Sequence, residues 1–234
     1  LKTFGLSEAA VDQAVAGVAP AGVEIGFYPR FPENHIVLSA RDDHDEAAAR
    51  ARLLTAEAEF ERRLGGYVFA RDEETLEGVV GALLREQGRT IAVAESCTGG
   101  LVTDRLTDVP GSSAYLERGL TTYSNRAKVE LLGVPEEVLQ AHGAVSEETA
   151  RLMAEGVRRR SGTDLGLATT GIAGPDGGSE AKPVGTVYIA LADGVATRCR
   201  RCHYRWERRR IKMIASQAAL LMVKRYLAGE KDPL

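Results

Sequence analysis

Apolar and polar positions along this chain alternate with two periods, and the changes of period mark out its elements. An apolar stripe of helical spacing runs through SEAAVDQAVAGV, with Ser7 placed to cap it. Two strand-like stretches follow, Val23 to Tyr28 and His35 to Ala40, separated by the proline-rich turn Pro29-Arg30-Phe31-Pro32. A helix is predicted from Asp45 to Leu64, stopped by Gly65-Gly66, with a short strand at Tyr67-Val68-Phe69. His35 and His44 fall in or beside exposed-looking turns, and nothing in this stretch gathers catalytic residue types.

A boundary near Arg71-Asp72-Glu73 divides a small α+β unit, residues 1–72, from a second unit, residues 73–234. The second opens with a helix from Glu74 to Gln87, closed by Gly88. The apolar run Ile91-Ala92-Val93-Ala94 then reads as a buried strand, broken by Glu95-Ser96-Cys97-Thr98-Gly99-Gly100 before a helix that ends near Thr107. A strand around Leu116–Tyr123 leads to a helix capped by Ser124-Asn125. Pro135 starts a short helix, Ser146 opens a longer one ending at Gly162, and Asp164 to Thr170 is another buried strand. After a glycine-rich loop, Val184–Ala192 and Val195–Tyr204 form a hairpin turning at Asp193-Gly194, and a last helix runs from about Glu207 to Leu227. Helices interleaved with apolar strands predict a three-layer α/β/α domain whose hairpin makes the sheet mixed.

Composition narrows the class. With 234 residues, 44% of them hydrophobic and 27% charged, the chain can build real cores, and no apolar run approaches a membrane span. A net charge of -3 gives no general attraction to nucleic acid. Three cysteines are too few for a disulfide scaffold, and a reducing cytoplasm fits them. Cys199 and Cys202 have CxxC spacing, but no second pair completes a zinc site, and in a strand positions three apart face opposite sides. No metal and no cofactor is expected. Leu1 stands where an initiator Met is absent, so a segment upstream is expected.

The chemistry gathers at strand ends. The strand-to-helix turn at 95–100 crowds two hydroxyls, a thiol and a carboxylate, and a helix N-terminus there favours anions. In Thr121-Thr122-Tyr123-Ser124-Asn125-Arg126-Ala127-Lys128, Tyr123 at a strand end and Lys128 early in the next helix can share one sheet edge. A lysine losing basicity in a desolvated site can act as a general base, and a phenol beside it can relay a proton. The loop Thr170-Gly171-Ile172-Ala173-Gly174-Pro175-Asp176-Gly177-Gly178-Ser179 is either a long turn or an anion nest, and it matches neither the P-loop nor the dinucleotide fingerprint. Arg198 to Lys212 carries eight Lys or Arg in fifteen residues, which can be a solvated face or a phosphate site.

AESCTGG, TYSNRAK, HGAVSEET and TTGIAGPDGGSEAKPVGTVY together resemble the CinA carboxy-terminal family, bacterial nicotinamide mononucleotide (NMN) deamidases, over about Thr75 to Leu227. Residues 1–72 resemble the KH-type domain that precedes it in full-length CinA proteins, without the GxxG loop of RNA-binding KH domains. The resemblance implies an absent amino-terminal molybdopterin-binding-like domain, a homo-oligomer, and hydrolysis of NMN to nicotinic acid mononucleotide and ammonia. It places the nucleophile on Ser96, the family tyrosine and lysine on Tyr123 and Lys128, and the motif threonine on Thr170. A family arginine falls on Arg208, here in a Trp206-Glu207-Arg208 context instead of Gly-Asp-Arg, with Arg209 and Arg210 adjoining.

On that reading N–H groups around Thr98, Gly99 and Gly100 would hold the oxyanion, while Gly171, Gly174 and Arg208 would hold the phosphate. Cys97 is the alternative nucleophile. The competing function is a nucleotide- or partner-binding module of a competence or damage-inducible protein without significant turnover; nucleic acid and membrane partners are not expected.

Overall fold

A computed structural model of the protein describes residues 1–41 and 45–230. His44 lies outside the described residues. The chain divides into two compact units, Leu1–Thr75 and Leu76–Leu234.

In the first unit, β1 (Lys2–Thr3), β2 (Val23–Arg30), β3 (Glu33–Ala40) and β4 (Val68–Ala70) form an antiparallel sheet in the order β2-β3-β1-β4. Helices α1 (Glu8–Val15) and α2 (Glu46–Leu64) start where the sequence signals: Ser7 Oγ accepts from the Ala10 N–H and Asp45 Oδ1 from that of Ala48. Their apolar stripes bury Val11, Val15, Phe60 and Leu64 with Ile36 of the sheet. The turn expected over Pro29 to Pro32 is shorter than that. Strand pairing continues to Arg30 opposite Glu33, leaving only Phe31-Pro32 to reverse the chain. Pro29 is tolerated because β2 is an edge strand, where a missing N–H costs no ladder bond. His35, expected to open this strand beside the turn, lies within β3, partly buried, its ring nitrogen 2.8 Å from Glu33 Oε2.

In the second unit, β5 (Ile91–Glu95), β6 (Leu116–Thr121), β7 (Leu165–Gly171), β8 (Thr186–Ala192) and β9 (Thr197–His203) make a mixed sheet in the order β6-β5-β7-β8-β9. The β5–β6 and β5–β7 pairs are parallel, and β8 and β9 are antiparallel to their neighbours. On one face lie α5 (Asn125–Leu132), α6 (Glu136–His142) and α7 (Glu147–Ser161); on the other lie α3 (Leu76–Glu86), α4 (Leu101–Thr107) and α8 (Arg208–Leu227). This is the expected three-layer arrangement.

The two sheet faces differ in side-chain size, and the difference decides how closely the helices approach. Toward α7 the sheet presents Ala92, Ala94, Ala168, Ala190 and Ala192. Gly166 is on the same face, since it alternates with the buried Leu165 and Leu167. A Cβ on Gly166 would lie 2.2 Å from the Ala154 carbonyl oxygen of α7, and one on Gly156 of α7 would lie 2.2 Å from the Leu132 carbonyl oxygen of α5. Helix backbones therefore rest directly on the sheet and on each other. The alternate positions Ile91, Val93, Leu167, Ile189 and Leu191, all fully buried, pack toward α3, α4 and α8.

The β8–β9 hairpin turns over four residues, Asp193 to Ala196, and not over a two-residue Asp193-Gly194 loop. The Asp193 carboxylate accepts from the N–H groups of Val195 and Ala196, so its side chain fixes the longer turn.

Candidate active site

The carboxyl ends of β5 and β7 are adjacent, yet their connections leave in opposite directions, β5 toward β6 and β7 toward β8. Open α/β sheets form their ligand crevices at such a divergence. Ser96 is the first residue beyond β5 at that point. Its N–H donates to the Thr169 carbonyl at 2.9 Å, which pins it to the neighbouring strand.

Lys128 reaches Ser96 from the second turn of α5. Ser124 Oγ caps that helix by accepting from the Ala127 N–H, and Gly133 closes it. The Lys128 side chain is fully buried. Its Nζ donates to the Thr122 carbonyl at 2.8 Å, the Tyr123 carbonyl at 3.2 Å and Ser96 Oγ at 3.2 Å. Two main-chain oxygens thus orient the amine and leave its third tetrahedral position on the serine hydroxyl. The same geometry suits both protonation states: the ammonium donates to Oγ there, and the neutral amine accepts the hydroxyl proton through its lone pair. Burial pulls the Lys128 pKa down from 10.5 to about 8, so the neutral amine is accessible near physiological pH.

Cys97 occupies the opposite situation. It is 6% exposed, and burial pushes its thiol up to about 12, which leaves almost no thiolate at neutral pH.

Tyr123 lies two residues past the end of β6, and 61% of it is exposed. The structure corrects the proton relay expected of its phenol. Arg208 donates to the Tyr123 hydroxyl at 3.1 Å, and it is the main-chain carbonyl of Tyr123 that meets Lys128. The same guanidinium donates to the Gly174 carbonyl at 2.8 Å, so Arg208 ties the glycine loop to the tyrosine. Thr170 is fully buried and donates its hydroxyl to the Ala144 carbonyl at 2.6 Å. Gly171 ends β7 at a close strand crossing, where a Cβ would lie 2.7 Å from the Thr186 carbonyl oxygen.

Two of the oxyanion donors expected at the turn, the N–H groups of Gly99 and Gly100, are engaged close by. The Gly99 N–H donates to the Ser96 carbonyl at 3.2 Å. The Thr98 hydroxyl is buried against that of Thr169, 2.7 Å away. The Gly100 N–H is held by Glu95, a residue whose role the sequence did not disclose.

Glu95 is fully buried, and its carboxylate accepts from the N–H groups of Gly100, Val102 and Thr103 at 3.0, 3.0 and 2.8 Å, and from Thr103 Oγ1 at 2.8 Å. A carboxylate from the end of β5 thus fills the N-terminus of α4 and neutralises its dipole. Glu95→Ala removes the partner of three N–H groups, that of Val102 buried and those of Gly100 and Thr103 partly buried, so chemical denaturation is expected to show a loss of roughly 3 kcal/mol, far more than a surface acid contributes. A change below about 1 kcal/mol removes this role.

Lys212 is a second residue that sequence inspection left among its arginine neighbours. It lies one turn along α8 from Arg208, on the same helix face. Its Nζ rests over Gly99, 3.3 Å from where a Cβ on that glycine would sit. Gly99 has φ +65°, a backbone conformation that favours glycine.

Comparison with known proteins places this geometry among relatives. A family model described as the CinA C-terminal domain matches residues 73–227, and one described as the damage-inducible protein CinA KH domain matches residues 1–70. A CinA-like protein of Syntrophus aciditrophicus is 63% identical over 235 residues, covering 99% of this chain and 56% of its own length. One from Geotalea uraniireducens is 49% identical, covering 97% and 54%. The chain therefore spans about half the length of these relatives. Among solved structures, the competence/damage inducible protein CihA from Agrobacterium tumefaciens superposes with a TM-score of 0.62 at 38% identity, covering 68% of this chain and 99% of that one. The competence damage-inducible protein A of Klebsiella pneumoniae subsp. pneumoniae MGH 78578 gives 0.64 at 32% identity, covering 67% and 97%.

Proposed function

Because this chain belongs to the CinA family, we propose that its Ser96–Lys128 pair makes it an amidohydrolase that converts NMN and water to nicotinic acid mononucleotide and ammonia. The observation that carries this reading is the buried lysine whose amine is fixed by two carbonyls with its remaining position on the serine hydroxyl.

An amide is a poor electrophile with a poor leaving group, so it needs an activated nucleophile and a proton for the departing nitrogen. Neutral Lys128 takes the Ser96 hydroxyl proton as Oγ bonds to the carboxamide carbon. The resulting ammonium stands beside the developing oxyanion and stabilises it without reorganisation. It then gives its proton to the carboxamide nitrogen as the C–N bond breaks, releasing ammonia and leaving a Ser96 ester. In the second half Lys128 takes a proton from water, hydroxide adds to the ester, and Oγ leaves with the proton returned from Lys128. Tyr123, held by Arg208 at the mouth, offers an exposed aromatic face to the pyridine ring. No step calls on Cys97.

The test is ammonia release by the purified chain across NMN, nicotinamide and NAD. NMN is expected to be turned over and free nicotinamide to be ignored. Calorimetric binding of NMN with no ammonia produced would replace the enzyme reading with that of a nucleotide-binding module.

A further inference from the structure

We infer that Lys212 binds the substrate's phosphate, and that Arg208, the cation on which the sequence pattern falls, is the strut that positions the mouth. The inference rests on the amidohydrolase reading and deepens it by assigning the group that selects a phosphorylated nucleotide.

The cations of α8 are differently employed. Arg208 spends two of its donors on the Gly174 carbonyl and the Tyr123 hydroxyl. Arg210 stacks on Trp206, 4.9 Å from the ring centroid, and lies 3.6 Å from the Glu207 carboxylate. Lys212 is partly buried, and no ion pair joins it to a carboxylate among the described residues. A cation with no carboxylate partner, set against the turn that follows Ser96, is free to pair with an anionic group of a ligand.

Its place is also specific. The Gly99 N–H to Ser96 carbonyl bond closes a tight turn, which brings the Cα atoms of residues 96 and 99 within about 7 Å of each other. Lys212 Nζ lies beside Gly99, the residue that closes that turn. A ligand with its carboxamide on Ser96 Oγ therefore has a cation one turn away, on the side from which α8 approaches.

The opening turn of α8 adds a second indication. It carries Arg208, Arg209 and Arg210, against the one acid of the N-cap, Glu207, which lies beside Arg210. Positive charge is thus concentrated at the positive end of the dipole, an arrangement that an incoming phosphate relieves.

The experiment compares wild type, Lys212→Gln and Lys212→Arg with NMN and with its dephosphorylated form, nicotinamide riboside, and titrates each protein with inorganic phosphate by calorimetry. Lys212→Gln is expected to raise the KM for NMN about tenfold or more while kcat stays within about twofold, because one charge-assisted contact is lost. Values for the riboside should not move, phosphate binding should weaken by the same factor, and Lys212→Arg should restore most of the NMN affinity. An unchanged KM for NMN, or a fall in kcat alone, overturns the inference while leaving the amidohydrolase reading intact. If wild type releases no ammonia from NMN, that reading fails, and the phosphate titration still decides the role of Lys212. Loss of phosphate binding in Lys212→Gln supports it, and equal binding in both proteins refutes it.

Discussion

Ser96→Ala is expected to leave a folded protein that releases ammonia from NMN on the order of 10⁴-fold more slowly than wild type, or not measurably. The size of the effect follows from the reaction: with the hydroxyl gone, no covalent intermediate forms, and only binding and the surrounding field remain. The fold should hardly notice. Ser96 is 8% exposed, and its side chain contributes one hydrogen bond, to Lys128, so the melting temperature should shift by a few degrees at most. NMN affinity, measured by calorimetry, should be retained. A Ser96→Ala protein with wild-type turnover ends the proposed mechanism.

Lys128→Met should remove both the reaction and a pH dependence of stability. In wild type, kcat/KM is expected to rise with pH and level off above about 8, because only the neutral amine can take the serine proton. The variant should lose about 10³-fold or more at every pH. For stability the sign follows from proton counting. The folded pKa, about 8, lies below the unfolded value of 10.5, so between them the unfolded chain holds the extra proton. Stability therefore climbs as pH rises through that window, by roughly 3 kcal/mol for a shift of this size. Denaturation of wild type and Lys128→Met at pH 7 and pH 10 should show wild type gaining on the variant by about that amount. Parallel curves would mean that burial does not lower the basicity of this lysine.

The sequence disclosed what short-range rules govern. Ser7, Asp45, Ser124 and Ser146 each cap the helix they announce, because a cap needs only a side-chain oxygen three residues before an N–H. The apolar runs at Ile91 and Leu165 became the central parallel strands, since burial on both faces demands continuous apolar sequence. Ser96 and Lys128 could be paired from their motifs, and the structure brings them to 3.2 Å.

What stayed hidden depends on direction and not on spacing. Glu95 looked like one more reactive group at the turn, and nothing in its spacing says that its carboxylate folds forward onto Gly100, Val102 and Thr103. Sequence spacing brings Tyr123 near Lys128, but it cannot say that the phenol meets Arg208 while the tyrosine's main-chain carbonyl serves the lysine. Strand β1 has only two residues, too few for any period to show. Lys212 was masked by the arginines before it, and its four-residue offset from Arg208 was the single available hint.

The alanine and glycine face beneath α7 bears on how this family can drift. Leu132, whose carbonyl touches Gly156, belongs to the same helix as Lys128, so the amine's height above the serine is set by one main chain resting on another. Side-chain interfaces absorb neutral changes by switching rotamers, but a seam without side chains has no such slack. Even a methyl group added at position 156 or 166 must be taken up by a rigid shift of α5 and α7, and the proton-transfer distance would record it first.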